Sequence, residues 1–359
     1  MKLIFFTLFF SIQTLLASNL GEDTLKKMIG HMLIVGFADE KVDENSQIIK
    51  QINRYELGGV ILFDRFYDDR SKTKNISSPL QLKQLTSSLQ KYSNKALLIS
   101  VDQEGGKVAR LKPAYGFEKF PSAKEISQNS LTNAQERYKS MSALLHENGI
   151  NCNFAPVVDL EINPKNKVIV GLERSFGKSS TDVAYYAQVQ IQEQKKAGVL
   201  SVLKHFPGHG SSLEDSHLGF VNITDTWSKK ELEPYKTLIE SQNIDMIMTA
   251  HVFNKHLDAK YPATLSHNVN TKLLREQMHY RGVVVSDDLQ MKAISKHYTL
   301  KETVTLAINA GVDILLFGNQ LGNQDIDELV NTIYGEVKAG AISEQRILES
   351  NKRIQKLHE

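Results

Sequence analysis

Eight short apolar runs punctuate the sequence at intervals long enough to hold a helix. They are "MLIVGFA" (32–38), "GGVILF" (58–63), "ALLISVD" (96–102), "NFAPVVD" (153–159), "LSVLKHF" (200–206), "MIMTAHV" (246–252), "GVVVSDD" (282–288) and "VDILLF" (312–317). Their near-continuous Val, Ile, Leu and Met content suits strands buried on both faces, as in a parallel sheet. Stretches of helical period include 80–93, 134–148, 182–197, 229–242, 269–279, 300–310, 323–337 and 343–357. Eight strands alternating with helices predict the α/β class and a (β/α)8 barrel of the TIM type. A doubly wound open sheet is the alternative. No G-x-G-x-x-G follows the first run, which argues against a dinucleotide fold.

Residues 1–18, "MKLIFFTLFFSIQTLLAS", differ from the rest: one Lys, an apolar run, then small residues at Ala17 and Ser18. That is the plan of a secretory signal peptide. The run is shorter than the roughly 20 residues needed to span a bilayer. The expectation is therefore a cleaved signal (1–18), one barrel domain (19–359), a periplasmic or secreted protein, and no stable membrane insertion after cleavage. An uncleaved N-terminal anchor is the alternative. The 43 Lys and Arg against 41 Asp and Glu give no reason to expect a nucleic acid partner. Cys152 is the only cysteine, so no internal disulfide can form. A monomer is expected.

A barrel places its chemistry at the C-terminal ends of its strands, and there the runs turn polar. Run three ends in Asp102 and continues "DQEGGKVAR" to Arg110. Run four ends in Asp159, and its loop carries "GLERSFG" with Arg174. Run five holds Lys204 and His205, run six His251, and run seven Asp287 and Asp288. This implies a polar pocket ringed by both signs of charge. Each residue has a plainer reading: Asp102 as a turn cap, Arg110 and Arg174 as ordinary ion-pair partners, Asp159 and His251 as buried structural groups. If run seven alternates, only one of its two carboxylates faces the pocket. The stretch "KHFPGHGSSLEDSHLGF" (204–220) crowds titratable groups onto a segment that Pro207 and its glycines keep from being a helix. His205, His209, Asp215 and His217 could ligate zinc. However, Pro207 and Gly208 lie between the first two, so no helical H-x-x-x-H exists, and no metal and no organic cofactor are expected.

"DQEGGKVAR", "GLERSFG", "KHFPGHG" followed by "DSH", and "VVVSDDLQM" occur in an order and spacing that resemble the β-N-acetylglucosaminidases of glycoside hydrolase family 3. The resemblance runs from about residue 25 to the C-terminus. It implies a retaining exo-glycosidase acting on N-acetylglucosaminides, including muropeptides. It implies Asp287 as nucleophile and His217 as general acid/base assisted by Asp215. Asp102, Arg110, Arg174, Lys204 and His205 match positions that hold the sugar. A β-glucosidase or glycoside phosphorylase of the same family, a metal-dependent hydrolase and a non-catalytic sugar-binding protein are the competing readings. A histidine in the acid role is chemically apt, because imidazole titrates near working pH. The glycines and serines of 208–212 suggest a loop free to close over substrate, with His209 structural within it. Ser211 and Ser212 depart from the acidic or amide residue and Thr common there in the family.

Overall fold

The structure, a computed structural model, describes residues 20–358. The expected signal peptide lies outside the described residues. Eight strands form one sheet: β1 (Leu33–Gly36), β2 (Gly59–Ile61), β3 (Leu98–Val101), β4 (Cys152–Asn153), β5 (Leu200–Phe206), β6 (Met246–Thr249), β7 (Val283–Val285) and β8 (Leu315–Phe317). The order is β8-β1-β2-β3-β4-β5-β6-β7, and all pairs are parallel. A bridge between Val285 and Ile314 joins the ends, reinforced where Ser286 N–H donates to Ile314 C=O at 2.9 Å. The sheet is thus a closed parallel barrel of the TIM type. Both faces of its strands are covered, which is why the runs read as continuous rather than alternating.

The surrounding helices start where the sequence supplies a cap. Ser78, Ser130, Ser179, Asp325 and Ser343 each accept a backbone N–H at the start of Pro79–Tyr92, Leu131–Glu147, Ser180–Lys196, Ile326–Lys338 and Glu344–Gln355. Thr299 and Glu302 form a capping box for Leu300–Ala310, and Gly311 ends that helix at φ 112°. The expected helix at 269–279 is present as a wider π-helical coil, Asn268–Gln277. Two helices outside the expected set, Glu22–His31 and Gln47–Tyr55, flank β1. The second buries Ile48, Ile49, Ile52 and Tyr55 on one face.

The strand ends need correcting. Of expected run four (153–159) only Asn153 lies in a strand, Cys152–Asn153, because Pro156 has no N–H to give a ladder. Asp102, His251 and Asp287 lie one or two residues beyond β3, β6 and β7, and Lys204 and His205 lie inside β5. The polar residues still rim the C-terminal mouth, Asp102, His251 and Asp287 on short tails beyond the ladder and Lys204 and His205 on β5 itself. Among the described residues no helix is long and apolar enough to cross a membrane.

Candidate active site

A cavity of about 350 Å³ opens at the C-terminal mouth, bordered by Asp102, Arg110, Arg174, Lys204, His205, Asp215, His217 and Asp287. The eight residues singled out in the sequence therefore meet around one space. Lys204, only 2% exposed, is fixed by Asp102 (2.8 Å) and Glu104 (2.7 Å). Arg110 Nη2 donates to the other Asp102 oxygen at 3.0 Å. Burial alone would raise the Asp102 carboxyl, but the Lys204 and Arg110 charges outweigh it and hold it well below the usual range. Arg174 turns to Glu104 instead of Asp102, with its Nε and Nη2 donating at 2.7 and 2.8 Å as a two-bond fork.

Glu104 is the residue the sequence reading passed over. It is 6% exposed and joins Arg174 to Lys204. The available signal was spacing, since Asp102 and Glu104 stand two apart on an extended tail and so face the same way. Removing Arg174 would leave the buried Glu104 with Lys204 alone, which is costly. Arg174→Ala is thus expected to lower the unfolding free energy by about 3 kcal/mol as well as kcat/KM. Urea denaturation beside steady-state kinetics tests this, and unchanged stability would refute it.

The His205 ring is settled by its partners. Its Nε2 lies 3.2 Å from Arg174 Nη2, which can only donate, so Nε2 accepts. Nδ1 therefore carries the proton and donates to Asp159 at 2.7 Å. Asp159 also accepts from the His209 N–H at 2.8 Å, so it is a buried positioning group, in keeping with its plainer reading. His251 is likewise enclosed, against Thr264 Oγ1 (2.8 Å) and the Asp288 carbonyl (2.9 Å).

Residues 208–212 are not a free loop. All five are buried. A Cβ on Gly210 would fall 1.7 Å from the Leu160 carbonyl oxygen. Ser212 Oγ meets His209 Nδ1 at 2.7 Å and accepts from the Asn166 amide at 3.1 Å. The serines are thus part of a packed knot, and the glycines serve close approach. The outward-facing part of the segment comes later, with Leu213, Leu218 and Phe220 about half exposed.

Behind this knot sits Glu231, 1% exposed, which accepts the Gly210 N–H at 2.9 Å. Burial, helped by the Asp159 charge, pushes its carboxyl up to about 7 from 4.5. Folding therefore takes up a proton between those values, and stability falls as pH rises through that window. Glu231→Gln has no such proton. Relative to wild type it is expected to gain roughly 3 kcal/mol between about pH 4.5 and about pH 8. Urea titrations at both pH values check this, and parallel pH slopes in the two proteins would refute it.

Asp215 and His217 stand on the exposed side of the cavity. The His217 backbone N–H and its Nδ1 both reach Asp215 Oδ1, at 2.9 and 2.8 Å. Nδ1–H thus points to Asp215, leaving Nε2 as the ring atom available to the cavity. Burial lowers the affinity of this ring for a proton. The Asp215 bond and the Asp287 charge outweigh that and raise it above its ordinary value. For Asp287, burial pushes upward, while His251, His205 and His217 pull its carboxyl below the usual range. Asp287 Oδ1 accepts the Asp288 N–H at 2.8 Å, which fixes the carboxylate plane. Both acids border the cavity, against the expectation from alternation, because β7 has already ended. Asp288 accepts the Gln290 and Gly318 amides at 3.0 and 3.2 Å, and burial lifts it to about 6. Among the described residues, no three His, Cys, Asp or Glu side chains converge as metal ligands would.

An outer wall that no motif announced comes from the loop after β2, with Phe63, Arg65, Phe66, Tyr67 and Arg70. Arg110 lies over the Phe63 ring at 5.6 Å.

The family model for the glycosyl hydrolase family 3 N terminal domain matches residues 24–357. The chain belongs to glycosyl hydrolase family 3. Beta-hexosaminidase A of Pseudoalteromonas piscicida is 32% identical over 87% of this chain and 54% of its own length. Beta-hexosaminidase of Tolumonas auensis is 37% identical over 73% of this chain and 76% of its own. A family 3 beta-N-acetylglucosaminidase structure from Paenibacillus sp. superposes with a TM-score of 0.83 at 34% identity, covering 93% of this chain and 62% of that one. The chain thus spans about half the length of the Pseudoalteromonas relative and under two thirds of the Paenibacillus one. The barrel is the shared part.

Proposed function

We propose that this family 3 chain is a retaining exo-β-N-acetylglucosaminidase. The observation that carries the reading is the pairing of two different groups at one cavity, an ionised Asp287 held by a backbone amide and a His217 whose Nδ1–H is held by Asp215. In the first step an Asp287 oxygen attacks the anomeric carbon, the glycosidic C–O bond breaks, and the leaving oxygen takes the proton from His217 Nε2. In the second, His217 takes a proton from water, which displaces Asp287 from the sugar and returns the carboxylate. Asp102, Arg110, Arg174, Lys204 and His205 hold the hydroxyl and acetamido groups of the sugar. We take the natural substrates to be peptidoglycan-derived fragments met outside the cytoplasm, with residues 1–18 directing export and the mature chain beginning near Asn19. N-terminal sequencing of native protein checks that last point, and recovery of residues 2–15 would oppose it.

The test of the activity is a panel of nitrophenyl N-acetylglucosaminides, glucosides and muropeptides, with and without phosphate. The N-acetylglucosaminide is expected to exceed the glucoside by roughly 100-fold or more in kcat/KM, because a site built around an amide leaves buried polar groups unpaired without it. The released sugar should be the β-anomer. Equal rates on both sugars would overturn the substrate assignment, and turnover that depends on phosphate would make the enzyme a phosphorylase.

A further inference from the structure

The opposite, N-terminal mouth of the barrel carries a second cavity, of about 660 Å³, framed by the starts of β3, β5 and β7 and by the C-terminal helix. Lys195, Arg281, Arg353 and Lys356 border it, with Asp245 as its one acidic side chain among the described residues. Asp245 is already engaged, its Oδ2 accepting the Ser201 N–H and hydroxyl at 2.8 and 2.9 Å. Lys195 has only the Asn243 amide at 3.5 Å.

A buried charge imbalance backs this wall. Asp313, fully buried, receives three guanidinium groups: Arg275 at 2.5 Å, and Arg346 and Arg353 at 3.0 Å each. Ser350 Oγ and the Val284 N–H donate to it as well. One carboxylate cannot neutralise three cations. Arg275 and Arg346 turn further donors to carbonyls, Gly282 and Gly311 for the first, Ile308 and Val312 for the second, and Arg346 Nη1 donates to Ser350 Oγ at 2.8 Å. Burial pushes Arg275 below its ordinary proton affinity, and the neighbouring Arg353 and Arg346 charges add to this. Arg353 alone of the three borders the cavity, and it brings the surplus charge there.

We propose that this N-terminal cavity is an anion-binding site for multivalent phosphate, separate from the glycosidase centre. Two guanidinium forks match phosphate oxygens in pairs, and two flexible ammonium groups supply further charge. Leu98, Val199 and Leu357 add apolar surface to its lining. The same chemistry could arrive as a compact free phosphate or as a segment of a phosphate polymer.

Thermal unfolding of the full chain at constant ionic strength tests the site, with sodium chloride replaced in part by pyrophosphate or by long-chain polyphosphate. Pyrophosphate at about 10 mM is expected to raise Tm by about 2 °C or more, since a ligand of the native state stabilises it by mass action. Arg281→Gln combined with Lys356→Gln, both on exposed side chains, should lose at least half of that shift while keeping glycosidase turnover. Arg110→Gln, at the other mouth, should keep the whole shift, which excludes phosphate bound among the catalytic cations. A larger effect of polyphosphate per phosphate group would assign the site to a polymer, and a smaller one to a compact ligand. No shift beyond the chloride control overturns the proposal, as does a shift that the double variant retains. Isothermal titration of pyrophosphate into both proteins gives the same answer without heating.

Discussion

Asp287→Ala is expected to lower kcat by about 10⁴-fold or more, with no glycosyl-enzyme detectable by intact-protein mass spectrometry. The expectation rests on the lack of a substitute among the cavity carboxylates. Asp102 is tied to Lys204 and Arg110. Glu104 is tied to Arg174 and Lys204. Asp288, one residue away, is buried with an oxygen held by the Gln290 and Gly318 backbone amides, which fix it away from attack. Only Asp287 combines an ionised state with three imidazoles close enough to favour it. Stability of the variant should change far less than its activity, because its one intramolecular bond is to the next residue's N–H. A variant that still labels covalently would place the nucleophile elsewhere.

Much of this site was readable from the sequence because the barrel ties position along the chain to position in space. Once eight buried runs are counted, each polar residue just beyond a run must lie at one mouth. Asp102, Lys204, His205 and Asp287 could be placed together on that ground alone. What the runs could not show is where hydrogen bonding stops. Pro156 truncates β4, so Asp159 is carried on an irregular tail and turns toward His205 and His209. Alternation also misled at Asp288, whose strand had ended at Val285. Glycine content was a poor guide to freedom at 208–212. There the missing Cβ lets Gly210 press against Leu160, which makes the segment tighter. The outer wall from Phe63 to Arg70 carries no spacing signal, because its residues act by proximity after a loop of irregular path. Gln47–Tyr55 escaped notice because nine residues hold few turns over which a period can be recognised.

His217→Ala should fail differently from Asp287→Ala. With a dinitrophenyl glycoside the leaving group departs with little need of a proton, so Asp287 can still form the glycosyl-enzyme. Water then lacks a base, and the covalent species is expected to accumulate, with kcat reduced by roughly 10²- to 10⁴-fold. Azide attacks without giving up a proton, so it should restore turnover in His217→Ala as a glycosyl azide and leave Asp287→Ala inactive. Asp215→Ala keeps the imidazole but loses the 2.8 Å bond that orients it and the carboxylate that raises its proton affinity. Its defect should be milder, and the alkaline limb of its pH–rate profile, which reports the proton His217 must give, should move to lower pH. The dyad is partly exposed, His217 at 44% and Asp215 at 33% of their side chains, so both changes should leave the unfolding midpoint nearly unaltered. Burst kinetics and mass spectrometry on the three variants separate the roles. Normal turnover of an unactivated disaccharide by His217→Ala would show that another group supplies the proton and that the segment after the buried knot is not the acid/base carrier.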